Sequence, residues 1–276
     1  MIKGQVVILA GFQRNGAAMI SHSFAQLTGI SHLGEIFATN TNKAIDLLHP
    51  SVKWKVPIYR KLFGMDRIPS CLKPTVRYVQ EMAAPHHCNM MFDMVMSGEQ
   101  MSELNQSLNI DDRVVFAKVA FEHCPYYYNT WEHILSNEKI KLIWVHRVNP
   151  LHMLISGANA NKQEEYQVIK GGRPKTGTVG IELNYLYEYL AFYQAHVTFF
   201  SLFLRNRKNV LIIKYKDLVR AWSKKTDEIC GFVGMKKEEV PLMLEKQITK
   251  HLELVENRKQ IEEALKQTDW DWCLNE

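Results

Sequence analysis

The chain has few of the features that small or exported proteins depend on. Its five cysteines (Cys71, Cys88, Cys124, Cys230 and Cys273) are scattered and odd in number. None forms a Cys-x-x-Cys pair, so neither a zinc site nor a disulfide framework is expected, and no metal is assigned. Such cysteine usage fits a reducing, cytoplasmic compartment. No apolar run approaches the length of about 20 residues needed for a membrane span. The first one, Val6-Val7-Ile8-Leu9-Ala10, is too short for a signal peptide. Internal repeats and low-complexity linkers are also missing. The net charge of +5 comes from dispersed lysines and arginines. It favours an anionic ligand but gives no argument for nucleic acid or membrane partners.

What remains is an ordinary soluble composition, 46% hydrophobic and 23% charged, on 276 residues. That length supports a core without covalent staples. The pattern predicts strands at Gln5 to Ala10, Ser31 to Leu33, Arg113 to Val119, Lys141 to His146 and Asn209 to Tyr215. Helices are predicted at Ala17 to Leu27, Asn129 to Ser136, Leu151 to Ala160, Ile181 to Arg205 and Trp222 to Val233, with a mostly helical tail from Val240. Strands alternating with helices indicate an α/β fold, a central parallel sheet flanked by helices. The whole chain, 1–276, reads as a single domain. Residues 40–109, punctuated by Pro50, Pro57, Pro69, Pro74 and Pro85, read as a helical and loop insertion. They are either a substrate cap or ordinary helical packing.

Ligands of such sheets bind beyond the carboxyl ends of the strands. Gly11-Phe12-Gln13-Arg14-Asn15-Gly16-Ala17-Ala18-Met19 lies at one such end, between a buried strand and a helix. Small residues there let backbone N–H groups turn inward on an anion; the alternative is a tight turn without a ligand. The spacing of Gly11 and Gly16 approaches that of a Walker A loop. That motif requires Lys and then Ser or Thr for the phosphates and Mg²⁺, and Ala17 and Ala18 stand in those places. A metal-dependent ATPase or kinase of that type is disfavoured.

Gln13-Arg14-Asn15-Gly16-Ala17-Ala18 resembles the Pro-(Lys/Arg)-Ser-Gly-Thr-Thr loop of sulfotransferases that use the donor PAPS. The basic residue and the glycine match, and the hydroxyl residues are replaced. Further along, Arg147, Asn149 and Ser156 are similar to a spacing of bacterial members in which the arginine and serine bind the 3′-phosphate of PAPS. Singly, Arg147 could equally serve a surface ion pair and Ser156 a solvated helix position. Lys214-Tyr215-Lys216-Asp217-Leu218 resembles the family's Tyr-Glu-Asp-Leu strand end. Ile229-Cys230-Gly231-Phe232-Val233-Gly234 resembles its Ile-Cys-x-Phe-Leu-Gly helix. These two are structural signatures, with Tyr215 a packing residue. Lys246-Gln247 and Asn257 to Leu265 are similar to the tail of bacterial members.

The resemblance implies a P-loop-like sulfotransferase fold, PAPS as co-substrate and PAP as product. The donor would contact Gln13, Arg14, Asn15, Gly16, Ala17, Ala18, Met19, Arg147 and Ser156. Arg14 would also stabilise the transferring sulfuryl oxygens and the leaving phosphate. For the base, Glu35 in Gly34-Glu35-Ile36-Phe37 resembles an element whose glutamate is a proposed base; a helix-terminal glutamate is the alternative. His123 is the second candidate, and Lys118 could touch the sulfuryl group or the acceptor. The loop Lys170 to Gly177 is either a segment closing over the 3′-phosphate or a disordered surface loop. General texture is similar to cyanobacterial tailoring sulfotransferases. That implies a small natural-product acceptor, sulfated on a hydroxyl or nitrogen, a carbamoyl nitrogen of a saxitoxin-like alkaloid included. Two other readings stand beside this one: a non-catalytic nucleotide-binding module, and an atypical nucleotide kinase.

Overall fold

In the computed structural model, residues 5–35, 114–121, 131, 137, 140–244, 248 and 250–275 are described, and residues 31 and 33–35 by their backbone alone. Five strands, β1 (Gln5–Gly11), β2 (Ile30–Glu35), β3 (Val114–Ala120), β4 (Lys141–His146) and β5 (Val210–Lys214), form one sheet in the order β2-β3-β1-β4-β5. The helices are α1 (Ala17–Phe24), α2 (Pro150–Gln163), α3 (Leu183–Phe203), α4 (Tyr215–Arg220), α5 (Trp222–Val233) and α6 (Arg258–Leu265). This is the α/β fold with a central parallel sheet that the alternation of patterns predicts.

By its contacts the chain divides into two compact units, 1–8 with 28–142, and 9–27 with 143–276. In the first, β2 and β3 pair in parallel, Ile30 opposite Val114 and His32 opposite Phe116. A register shift follows. β2 advances three residues, to Glu35, while β3 advances two, to Lys118. This bulge sets Glu35, rather than Gly34, opposite Lys118. Glu35 is thus the last residue of β2, rather than lying just beyond the strand as expected. Phe37, His123, Lys246, Gln247 and the proposed insertion at 40–109 lie outside the described residues, as does Asn129 to Ser136 except Trp131.

The second unit is organised by α2. Its side-chain cap is Asn149, whose Oδ1 accepts from the His152 N–H at 3.1 Å, and Pro150 opens the helix where no N–H is needed. Leu151, Leu154 and Ile155 of α2 pack with Leu186 and Leu190 of α3, Ile261 and Leu265 of α6, and Val179, Ile181, Leu252 and Val255 between them. Although 21 residues long, α3 buries only Leu186, Leu190, Tyr193 and Phe200, a single stripe at helical spacing.

Three boundaries differ from expectation. α1 stops at Phe24 because Gln26 and Leu27 turn their N–H groups to Ser23 and Phe24, three residues back. Tyr215 opens α4 instead of closing β5. The tail is less helical than its composition suggests. Leu244 bridges Ile169, and Val255 bridges Val179, with a 3₁₀ turn at Leu252–Leu254 just before the second bridge. The basic loop from Lys170 makes two backbone contacts with the end of α2 and the turn after it. Lys175 N–H donates to Glu165, and Gly177 N–H to Asn159.

Asn257 closes this tail onto the core. Its Oδ1 accepts from Ile181 N–H at 3.0 Å and its Nδ2 donates to the Ile181 carbonyl at 2.7 Å, as a paired strand would. Replacing Asn257 with Ala should lower unfolding free energy by about 1–2 kcal/mol. Urea denaturation checks this, and a midpoint within error of the wild type would show that the pair is dispensable.

Candidate anion-binding site

All of the site described here lies in the second unit. β1 ends in Gly11, whose φ of +143° is open to glycine. A Cβ there would lie 2.0 Å from Asn15 Nδ2 and 2.8 Å from the Val145 carbonyl. Arg14 follows in the left-handed region, with φ +63°, and Gly16 caps α1 with φ +96°. A Cβ on Gly16 would meet the Tyr215 ring at 2.6 Å. The two glycines are therefore required by close approach as well as by backbone conformation.

Asn15 is buried and its side chain is fully engaged. Nδ2 donates to the Ala10 carbonyl at 3.3 Å and to the Val145 carbonyl at 3.0 Å, while Oδ1 accepts from Ala17 N–H at 2.9 Å. This ties the ends of β1 and β4 to the start of α1. The Asn15 side chain and the Ala17 N–H thus bind each other. Met19 N–H likewise donates to the Gly16 carbonyl.

Two guanidinium groups meet at this turn. Arg147, just past β4, donates from Nη1 to the Arg14 carbonyl at 2.9 Å and from Nη2 to His251 Nε2 at 2.8 Å. Its Cζ lies 5.0 Å from the centre of the Tyr215 ring, a cation–π contact. Arg14 donates from Nε to Ser156 Oγ at 3.2 Å and from Nη1 to the Tyr166 carbonyl. Burial lowers the pKa of both arginines; for Arg14 the neighbouring Arg147 charge lowers it further. Both stay protonated at neutral pH. Burial raises the Tyr215 pKa, against the pull of both guanidiniums, so its hydroxyl stays neutral. Two partly buried cations brought together at the end of a strand make a turn suited to an anion.

The backbone of Arg147 is held from the other side. Tyr193 Oη lies 3.0 Å from the Arg147 carbonyl and 2.9 Å from that of Val148, and 3.1 Å from His146 Nε2. Burial raises the Tyr193 pKa far above its ordinary value. Its ring packs on Phe12 of the loop, centroids 4.9 Å apart.

The structure thus brings together Arg14, Asn15, Gly16, Arg147 and Ser156 from the sequence expectations. Asn149 serves elsewhere, capping α2 and donating to the Cys273 carbonyl at 2.9 Å. Glu35 and Lys118 are register partners of β2 and β3 in the first unit. Tyr215 is more than the packing residue expected. Its position after a strand's carboxyl end was the available signal. His251 and Tyr193 belong to no motif and could not have been read from the sequence.

The sulfotransferase domain family matches residues 5–269. The chain belongs to that family. No match was found among curated protein sequences. Among solved structures, a sulfotransferase from Alicyclobacillus acidocaldarius is 12% identical, with TM-score 0.44, covering 92% of this chain and 89% of that one. The sulfotransferase domain of the Synechococcus PCC 7002 olefin synthase is 13% identical, with TM-score 0.43, covering 85% and 74%. A retinol dehydratase in complex with retinol and PAP is 14% identical, with TM-score 0.40, covering 96% and 82%. The family assignment rests on the sequence match over nearly the whole of this sulfotransferase-type chain.

Asn15 gives the site's structural test. Changing it to Ala leaves two buried carbonyls and one N–H without their partner, which should cost about 2–4 kcal/mol. Urea or thermal unfolding measures this directly. A loss below about 0.5 kcal/mol would mean that the loop is fixed by other contacts.

Proposed function

We propose that this chain transfers a sulfuryl group from PAPS to a hydroxyl or nitrogen of a small-molecule acceptor, a natural product being the favoured class. The observation that carries the reading is the pairing of Arg14 and Arg147 around the Gly11 to Gly16 turn, with Ser156 within hydrogen-bond reach of Arg14. Membership in the sulfotransferase family supports it. PAP bound in the retinol dehydratase structure is consistent with it.

Arg147 and Ser156 take the 3′-phosphate. A planar guanidinium and a hydroxyl can share the oxygens of one monoester. Arg14 bridges that position and the loop, so its charge serves the 5′-phosphosulfate. The N–H groups of Gly16 and Ala18, at the start of α1, supply neutral donors to the same group. Binding exchanges the Arg14–Ser156 hydrogen bond for bonds from both side chains to the ligand.

In the transfer, the acceptor's oxygen or nitrogen bonds to sulfur as the bond from sulfur to the 5′-phosphate oxygen breaks. The electron pair of that bond leaves on the phosphate of PAP. Negative charge then builds on the bridging and phosphate oxygens, and Arg14 is placed to offset it. The acceptor's proton goes to a base, assigned to Glu35 from its resemblance to the family's Gly-Glu-x-Phe element. Lys118, opposite Glu35 in the strand register, is the neighbouring charge assigned to the acceptor side. His123 is the second candidate for the base. Positioning and electrostatics carry the catalysis, and no metal is invoked.

Three experiments test the assignment. Protection against thermal unfolding by PAP without magnesium is expected; protection by ATP only with Mg²⁺ would favour the kinase reading. In calorimetry, Arg147→Ala should weaken PAP binding by a factor of about 10–100, the loss of one charged bidentate contact. Unchanged affinity would remove Arg147 from the 3′-phosphate. Glu35→Gln should abolish turnover of PAPS while PAP binding stays at the wild-type level. Near-normal turnover would move the base to His123.

A further inference from the structure

Arg147 depends on a histidine that no motif identifies. A guanidinium has no lone pair, so in the 2.8 Å contact between Arg147 Nη2 and His251 Nε2 the arginine must donate and the imidazole must accept. That fixes His251 as neutral, with its proton on Nδ1. The ring is buried and lies against His152, with centroids 4.3 Å apart and planes 9° apart. His152 is itself set by the first turn of α2, its N–H bound to the Asn149 cap. Ser156 follows four residues later on the same helix face. One rigid helix therefore supports both arginines, touching Arg14 through Ser156 and backing the histidine that turns Arg147.

We propose that His251 is a positioning residue for the donor site. By accepting one N–H from Nη2 while the Arg14 carbonyl accepts one from Nη1, it fixes the plane of the guanidinium. Two of the group's five N–H donors are then engaged and three remain for an anion. Without the acceptor, the arginine would retain its charge but lose its orientation. This inference rests on the donor-site reading given above, and its test separates the two.

His251→Leu keeps bulk and removes the acceptor. His251→Gln keeps an acceptor oxygen near the position of Nε2. PAP affinity should fall about tenfold in the leucine variant. In the glutamine variant it should stay close to the wild type. Both variants lose the ring contact with His152, so their unfolding midpoints should be similar, and a purely structural role would lower both affinities together. Equal affinity of the leucine variant and the wild type would overturn the proposal, as would equal weakening in both variants. Wild-type protein that fails to bind PAP would overturn the donor-site reading instead.

A second readout covers the case in which the leucine variant does not fold. In ¹⁵N-histidine-labelled protein, the imidazole resonance removed by His251→Gln should report the neutral Nδ1–H tautomer. It should shift in Arg147→Ala. A protonated ring, or one indifferent to Arg147, would overturn the contact itself without reference to any ligand.

Discussion

The turn between β1 and α1 depends on one amide side chain. Asn15 lies in the turn between a strand and a helix, and its three hydrogen bonds reach Ala10, Val145 and Ala17. A buried amide with fewer partners would destabilise the fold. With these it fixes where β1 ends, where β4 ends, and where α1 begins. Arg14 is the residue before it and Arg147 the second residue after Val145. Both cations are thus positioned by backbone that a single side chain clamps. The clamp also explains the glycines, since Gly11 must admit the Asn15 amide and Gly16 must admit the Tyr215 ring.

Around that clamp, the Arg147 charge is supported by groups that carry none. Arg147 is bounded by a carbonyl, a neutral imidazole and an aromatic face. A carboxylate in any of these places would neutralise the site and compete with an anionic ligand. Neutral acceptors orient a guanidinium while leaving its field available. The desolvation that lowers both arginine pKa values is what an incoming phosphate would relieve. Binding energy and site architecture are in this sense the same term.

Much of the scaffold was legible in the sequence. Apolar strands such as Lys141–His146 and a helix bounded by Trp222 and Val233 announce themselves by period and by flanking residues. The loop was legible through its small residues, and Arg147 through its place after a strand. The internal use of Asn15 was not, because its partner Val145 is 130 residues away and no local pattern encodes that distance. The same holds for His251, which meets Arg147 across 104 residues. Tail segments were read as helical because their composition favours it. Tertiary pairing with Val179 and Ile169 overrode that preference.

The replacement of hydroxyl residues by Ala17 and Ala18 changes what the site can recognise. A loop with Ser or Thr side chains grips a phosphate by short-range hydrogen bonds and can also hold a metal ion. Here the helix start offers backbone amides alone, one of them already bound to Asn15, so attraction must come chiefly from the two guanidiniums. Guanidinium attraction is long-ranged and needs no metal to offset phosphate charge. The hydroxyl residues the loop lacks and the arginines around it therefore argue in the same direction, toward an anion held by the protein's own fixed charge.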